Sequence, residues 1–142
     1  MNRADRAKLA RLQRLEQVRA IAKQAAAAES ARAEGTLAQL EALAARTGRM
    51  FDDYAARRDV PDGQALQQLT RFREGLAGVS RSTLADTERA RQLADLKLAQ
   101  LAEAERRRQA VEDRARGEAQ SLAAKAQQPV LSGRRPTGTP LE

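Results

Sequence analysis

Cysteine and histidine are both absent from the 142 residues. Without cysteine the chain forms no disulfide and offers no thiolate, and without histidine it has no general acid–base built on imidazole and no zinc site of the Cys/His type. Aromatic residues make up only 2% of the chain, as Phe51, Phe72 and Tyr54. Because compact cores take much of their buried area from aromatic side chains, the sequence does not predict a compact core.

Long apolar runs and helix breakers are also scarce. There is no run of 18 apolar residues and no secretory segment after Met1, so we expect a cytoplasmic protein that does not span a membrane. Between residues 3 and about 127 the one strong helix-breaking stretch is Asp59-Val60-Pro61-Asp62-Gly63. Pro61 cannot lie inside a helix, and Asp59 or Asp62 can cap a helix that follows. We therefore expect the chain to reverse its direction here.

On both sides of this break the sequence is rich in Ala, Leu, Gln, Glu and Arg, which are strong helix formers. Apolar residues recur in steps of three, four and four, an eleven-residue period that predicts a nearly straight or slightly right-handed helix pair. The predicted interface of the first helix is Leu15, Val18, Ala22, Ala26, Glu29, Ala33, Leu37, Leu40, Ala44, Gly48, Phe51 and Ala55, in which Glu29 is a charged violation. That of the second helix is Phe72, Leu76, Val79, Thr83, Thr87, Ala90, Ala94, Leu98, Leu101 and Glu105.

If the helices fold back on each other, the two arms match in length when facing residue numbers add up to about 123. Phe51 then faces Phe72, and Gly48 faces Gly75 at a place where the backbones could approach closely. Gly75 and Gly78 inside the second helix therefore fit close helix packing, with a local soft point near the turn as the alternative. An intermolecular bundle is the alternative to the hairpin itself.

The predicted fold is all-α, a long two-helix antiparallel coiled-coil hairpin over residues 1–127. We expect one helix at about 3–58, a turn at 59–63 and a second helix at about 64–126. After Gln128 the composition shifts to proline, glycine, serine and threonine, which predicts a disordered Pro/Gly-rich tail over residues 128–142.

The net charge of +7 and the pI of about 10.9 permit acidic partners without selecting one. Residues 1–35 carry +4, residues 36–80 carry zero and residues 81–128 carry +2, so the positive excess lies at the open end of the expected hairpin. Nucleic acid is disfavoured as a partner, because no aromatic residues interleave the basic ones and no helix-turn-helix is present. A two-helix rod has no pocket that could shift the pKa of a carboxylate, so we expect no enzyme, cofactor, metal or small-molecule ligand.

A basic, cysteine-free, aromatic-poor chain with this architecture resembles the FliJ/YscO family, the central-stalk proteins of flagellar type III export and of related injectisomes. The resemblance covers residues 1 to about 125. Its most specific part is an aromatic-xxx-Leu-xx-small apolar pattern near the turn. That pattern is Phe72, Leu76 and Val79, followed by Thr83 and preceded in the first helix by Met50 and Tyr54.

The resemblance implies a non-enzymatic adaptor, and we favour the flagellar system. The terminal arms of such proteins enter the pore of a hexameric export ATPase and promote its assembly. The turn side contacts the cytoplasmic domain of the large export-gate membrane protein at the inner membrane, and some members bind substrate-specific export chaperones. The predicted gate contacts are Met50, Tyr54, Phe72, Leu76, Val79 and Thr83. The predicted ATPase contacts are Arg3, Arg6, Arg11, Arg14, Arg107 and Arg114. The alternative functions are a generic coiled-coil scaffold and a basic nucleic-acid-binding rod.

Overall fold

The computed structural model describes residues 2–57 and 59–128, and these residues form two helices. Helix α1 spans Arg3–Ala55 and helix α2 spans Gly63–Gln127. The helices pack against each other in antiparallel directions, and the described part of the chain contains no strand. The predicted all-α two-helix hairpin is therefore confirmed. Residues 129–142, most of the segment predicted to be a disordered tail, lie outside the described residues.

The helix ends are set by local hydrogen bonds. The predicted cap of α2 is Asp62, whose carboxylate Oδ1 accepts a hydrogen bond from the Ala65 N–H at 2.7 Å. The side chain of Asn2 caps α1 in the same way, by accepting from the Ala4 N–H at 3.1 Å. Helix α1 stops at Ala55, three residues before the expected end, where the Arg57 N–H turns back to the Tyr54 carbonyl. This tighter bond closes the last turn and starts the chain reversal.

The chain divides into two compact units. The turn unit is residues 21–105 and contains the chain reversal. The terminal unit combines residues 1–20 with residues 106–142, of which 2–20 and 106–128 are described. No helix of the described residues combines the length and apolarity needed to cross a membrane.

In the turn unit, the α1 side of the helix interface follows a seven-residue period. The buried and half-buried positions alternate in steps of three and four, as Ser30, Ala33, Leu37, Leu40, Ala44, Thr47, Phe51 and Tyr54. The predicted eleven-residue period is therefore wrong for α1, since Ala22, Glu29 and Ala55 are exposed. The seven-residue period places Ser30 in the interface and leaves the Glu29 carboxylate outside it, where it bonds the Lys97 ammonium at 2.9 Å. A seven-residue period is typical of left-handed coiled coils.

The α2 side of the same interface agrees with the prediction over half its length. Thr83, Thr87, Ala90 and Ala94 are buried as expected. After Ala94 the prediction is wrong at Leu98, which is 51% exposed, whereas the neighbouring Lys97 is half-buried. Leu101 and Glu105 are half-buried, as predicted. The buried threonines keep their hydroxyls satisfied within the helix: Thr83 donates to the Val79 carbonyl and Thr87 to the Thr83 carbonyl. The interface is thus built mainly from small side chains, and the hydroxyls of its buried α2 threonines are hydrogen-bonded within their own helix.

The glycines do not mediate a close approach of the two backbones. A Cβ atom placed on Gly48, Gly75 or Gly78 would meet nothing within 4 Å. The predicted Gly48–Gly75 contact is therefore wrong, and packing does not require a glycine at these positions. The alternative, a soft point near the turn, remains a prediction, because each interior glycine weakens a helix relative to alanine.

In the terminal unit the interface combines apolar and charged side chains. Leu12, Ala115 and Leu122 are buried, and the seven-residue period of α1 continues through the half-buried Glu16 and Arg19. The predicted interface residues Leu15 and Val18 instead lie outside it, and Val18 is 59% exposed. The Nε atom of Arg19 is buried without a hydrogen-bond partner. An interface of this composition stabilises the helix pair less than one of leucines would.

Candidate interaction surfaces

An aromatic pair joins the two helices next to the turn. The rings of Tyr54 and Phe72 lie with their centroids 4.5 Å apart and their planes tilted by 57°, a favourable geometry for aromatic side chains. The predicted pair was Phe51–Phe72, so the register is displaced by three residues along α1. Phe51 instead lines a shallow depression of about 330 Å³ with Thr70, Arg73, Glu74 and Ala77.

The aromatic pair is the centre of an exposed apolar strip, which we define as Met50, Tyr54, Phe72, Leu76 and Val79. Met50 and Tyr54 lie one helical turn apart on α1. Phe72, Leu76 and Val79 follow one another at intervals of one turn on α2. The contact between the Tyr54 and Phe72 rings links these two rows of side chains. Met50, Phe72 and Val79 are exposed, whereas Tyr54 and Leu76 are half-buried. Five of the six predicted gate contacts therefore share one accessible surface.

Thr83, the sixth predicted gate contact, does not belong to the apolar strip. It is only 5% exposed, and its hydroxyl already donates to the Val79 carbonyl at 2.8 Å. Thr83 packs in the helix interface and is not accessible to a partner in this structure. The three-four-four period already places Thr83 in the predicted helix interface, whereas its role as a gate contact comes only from the family resemblance. Its side chain can enter an interface because the hydroxyl bonds its own backbone.

One end of the apolar strip carries a cation. The guanidinium of Arg57 lies 4.6 Å from the centre of the Tyr54 ring, within the range of a cation–π interaction. The contact holds Arg57 against the aromatic pair, just after the end of α1. A partner surface that accepts the strip therefore also meets a positive charge.

The terminal unit carries the positive charge of the described chain. Its residues 1–20 and 106–128 contain 12 Lys/Arg and five Asp/Glu, a net charge of +7. The turn unit contains 12 Lys/Arg and 13 Asp/Glu, a net charge of −1. The difference in net charge between the two units is larger than the difference between the segments counted along the sequence. The reason is that the structure shows which segments of the two helices belong to the same unit.

The predicted ATPase contacts all lie in the terminal unit and are all exposed: Arg3, Arg6, Arg11, Arg14, Arg107 and Arg114. At about 100° per residue, the four arginines of α1 fall within an arc of roughly 140° and so share one face. None of these four forms an ion pair with another described residue. Arg11 and Arg14 only donate long hydrogen bonds of 3.4 Å to the carbonyls of Ala7 and Ala10.

The acidic residues of the terminal unit are largely engaged with nearby cations. Glu118 pairs with Lys8 at 3.2 Å across the two helices. Glu112 pairs with Arg108 and Arg116 within α2. These carboxylates therefore do not neutralise the arginine face of α1, which remains available to an acidic partner.

Ion pairs that were not predicted from the sequence join the two helices of the turn unit. Glu29–Lys97, Glu41–Arg91 and Lys23–Glu105 join α1 to α2 at 2.9, 3.3 and 2.9 Å. The hydrogen bond from Lys97 holds the pKa of Glu29 below its usual value, with the lysine charge as a further cause. The signal was present in the sequence, since charges that flank a seven-residue apolar period are typical of interhelical pairs.

Comparison with known proteins gives no relative for this chain: no family model, no curated protein and no solved structure matches it.

Proposed function

We propose that this chain is a non-enzymatic central-stalk and adaptor protein of the FliJ/YscO type, acting in flagellar type III export. In this role the terminal unit binds the hexameric export ATPase and promotes its assembly. The apolar strip of the turn unit binds the cytoplasmic domain of the large export-gate membrane protein, which keeps the adaptor peripheral to the inner membrane. The proposal rests on the resemblance of residues 1 to about 125 to that family.

One observation of the structure carries the proposal furthest, namely the segregation of charge from apolar surface. The terminal unit has a net charge of +7 with an unpaired arginine face. The turn unit is nearly neutral and exposes Met50, Phe72 and Val79. Two surfaces of different chemistry suit two different partners, an acidic one and an apolar one. This separation of the two surfaces supports an adaptor role.

The test of the ATPase contact uses a charge-reversed triple variant, Arg6→Glu, Arg11→Glu and Arg14→Glu, with the purified cognate export ATPase. The intact protein is expected to bind the ATPase and to raise its activity and its hexamer fraction. The variant is expected to lose both effects. The matched control reverses three exposed arginines of the turn unit, Arg49, Arg71 and Arg81, and is expected to retain them.

The gate contact has a separate test. The double variant Phe72→Ala and Leu76→Ala is expected to weaken binding to the cytoplasmic domain of the gate protein and to leave ATPase binding intact. Leu66→Ala removes another exposed leucine of α2 and is the matched control. If the Phe72/Leu76 variant no longer bound the ATPase but still bound the gate protein, the two surfaces would have been assigned to the wrong partners. If the intact protein bound neither partner, the proposed function would be wrong.

A further inference from the structure

The turn unit places most of its large aliphatic side chains outside the helix interface. The buried positions of this unit are occupied by alanine, serine and threonine. Leu43, Leu84, Leu93, Leu96 and Leu98 are instead exposed by a third or more. Exposed leucines that recur along a helix pair mark contact surfaces, because water contact is unfavourable for them and they contribute little to the fold.

Some of these leucines form a side with positive charge, which we call the basic leucine side: Arg32, Leu43, Arg46, Leu93 and Leu96. The interhelical pair Glu29–Lys97 marks its position on the turn unit. Leu43 follows Glu29 by two seven-residue periods, and Leu93 precedes Lys97 by one helical turn, so both lie on the side of this ion pair. Glu29 is bound to Lys97, and Asp86 on the same side is bound to Arg89 at 3.6 Å. Arg32 and Arg46 give this side a positive excess.

The opposite edge of the interface carries the acidic leucine side: Glu34, Leu84, Glu88, Asp95 and Leu98. The pair Glu41–Arg91 marks its position. Leu84 and Leu98 lie seven residues before and after Arg91, and therefore on its side of α2. Arg91 is the one cation among four carboxylates here, and it is already bound by Glu41 and Glu88. Glu34 and Asp95 leave this side with a negative excess.

The two sides are complementary in three respects. Each exposes leucines, one has excess arginine and the other excess carboxylate, and both extend over a similar length. Arg32 and Arg46 are 14 residues apart, as are Leu84 and Leu98, and 14 residues of helix span about 21 Å. Opposite charges around the leucines favour docking of the basic leucine side on the acidic leucine side. Like charges disfavour docking of two identical sides.

We propose that a second copy of this chain covers these surfaces, with the basic leucine side of one copy docked on the acidic leucine side of the next. The two sides lie on opposite edges of the α1–α2 interface, so the contact is heterologous, and each copy keeps one side open after docking. Association then continues beyond a dimer as the concentration rises. This proposal does not depend on the export function, because it is argued from residues outside the terminal unit and the apolar strip. Met50 and Val79 of the strip continue the basic leucine side at the same seven-residue spacing.

The experiment uses two variants of the full chain, each blocked on one side. Leu93→Ser with Leu96→Ser disables the basic leucine side, and Leu84→Ser with Leu98→Ser disables the acidic one. Light scattering of the unaltered chain is expected to show masses above 15.5 kDa that increase with concentration. Each variant alone is expected to be monomeric. Their mixture is expected to form a complex of twice that mass and nothing larger, because each variant still supplies one intact side.

Controls separate docking from loss of the fold. Circular dichroism at 222 nm checks that each variant keeps its helices, and Leu66→Ser, on another exposed leucine of α2, is expected to associate like the unaltered chain. Reversing the charge of Arg32 and Arg46 is expected to weaken association, and reversing Glu88 and Asp95 as well is expected to restore it. A chain that stays monomeric at every concentration overturns the proposal. A mixture of the two helical variants that stays monomeric also overturns it, and then the leucines face an unrelated partner.

Discussion

Two neighbouring glycines inside α2, Gly75 and Gly78, give the most direct test of how this hairpin is stabilised. Gly75 is exposed and Gly78 is half-buried, and both lie in the helix interior with no positive φ angle. A Cβ atom at either position would meet nothing within 4 Å. The double variant Gly75→Ala and Gly78→Ala therefore adds two methyl groups without steric cost.

The expected effect is an increase in the free energy of unfolding. Glycine costs about 1 kcal/mol relative to alanine in a helix interior, so the two substitutions together contribute up to about 2 kcal/mol. Part of the gain comes from a less flexible unfolded chain, for which 0.4–1 kcal/mol per site is typical. For a chain of this size, 1 kcal/mol corresponds to roughly 2–4 °C in Tm.

Two measurements check this prediction. Urea unfolding followed by circular dichroism at 222 nm gives the change in free energy, and hydrogen exchange of the amides near residues 75–82 shows where it arises. We expect slower exchange there in the double variant. Gly117→Ala, a helical position in the terminal unit with equally empty surroundings, is the control and is expected to leave this exchange unchanged. A double variant that unfolds more easily would mean that the glycines serve the packing after all.

Three further changes address local interactions. Asp62→Ala removes the cap of α2 and is expected to cost about 1 kcal/mol in urea unfolding, whereas Asp62→Asn restores most of it. Phe72→Ala is expected to change the fluorescence of Tyr54, the one tyrosine in a chain without tryptophan, because the two rings are in contact; an unchanged spectrum would contradict that contact. Because the folded-state pKa of Glu29 lies below its unfolded value, its contribution to stability is present above the unfolded pKa and is lost as the pH falls through the folded pKa. Glu29→Gln is therefore expected to make stability less dependent on acid pH, and an unaltered pH profile would argue against the Lys97 pair.

Local chemistry made the outline of the fold predictable. Proline and glycine cannot continue a helix well, so Pro61 and Gly63 located the reversal, and Asp62 was one of two candidate caps. The accessible strip was also predictable in large part, because Met50 and Phe72 are large apolar residues near the turn. Such signals depend on one residue and its immediate neighbours, which is why the sequence alone contains them.

The pairing of the helices was less predictable. Alanine is tolerated both in an interface and on a helix surface. Ala26 and Ala33 fit a seven-residue and an eleven-residue period equally well, whereas Ala22 fits only the eleven-residue period and is exposed. The size of Phe51 suggested a partnership with Phe72, but the structure gives that role to Tyr54. Size matching decides the register only where side chains are large, and this interface has few of them.

The flanking ion pairs provide the missing information about register. Each exposed pair contributes little to the free energy of unfolding. In the turn unit, however, the buried positions of this interface are alanine, serine and threonine, and they discriminate weakly between one register and the next because these side chains are similar in volume. The pairs Glu29–Lys97 and Glu41–Arg91 differ in this respect, since they form only when the two helices are aligned as observed.

A slip of α2 by one seven-residue period shows how the charges select the register. The slip preserves the interface positions, so small residues would still face small residues. In one direction, however, Lys97 would move from Glu29 to the neighbourhood of Thr36, and Arg91 would move from Glu41 to Gly48. Glu29 and Glu41 would both lose their partners on α2, whereas Glu112 would take the place of Glu105 beside Lys23. The charged residues therefore favour the observed register over this slipped one, whereas helix propensity supports the two helices in either register.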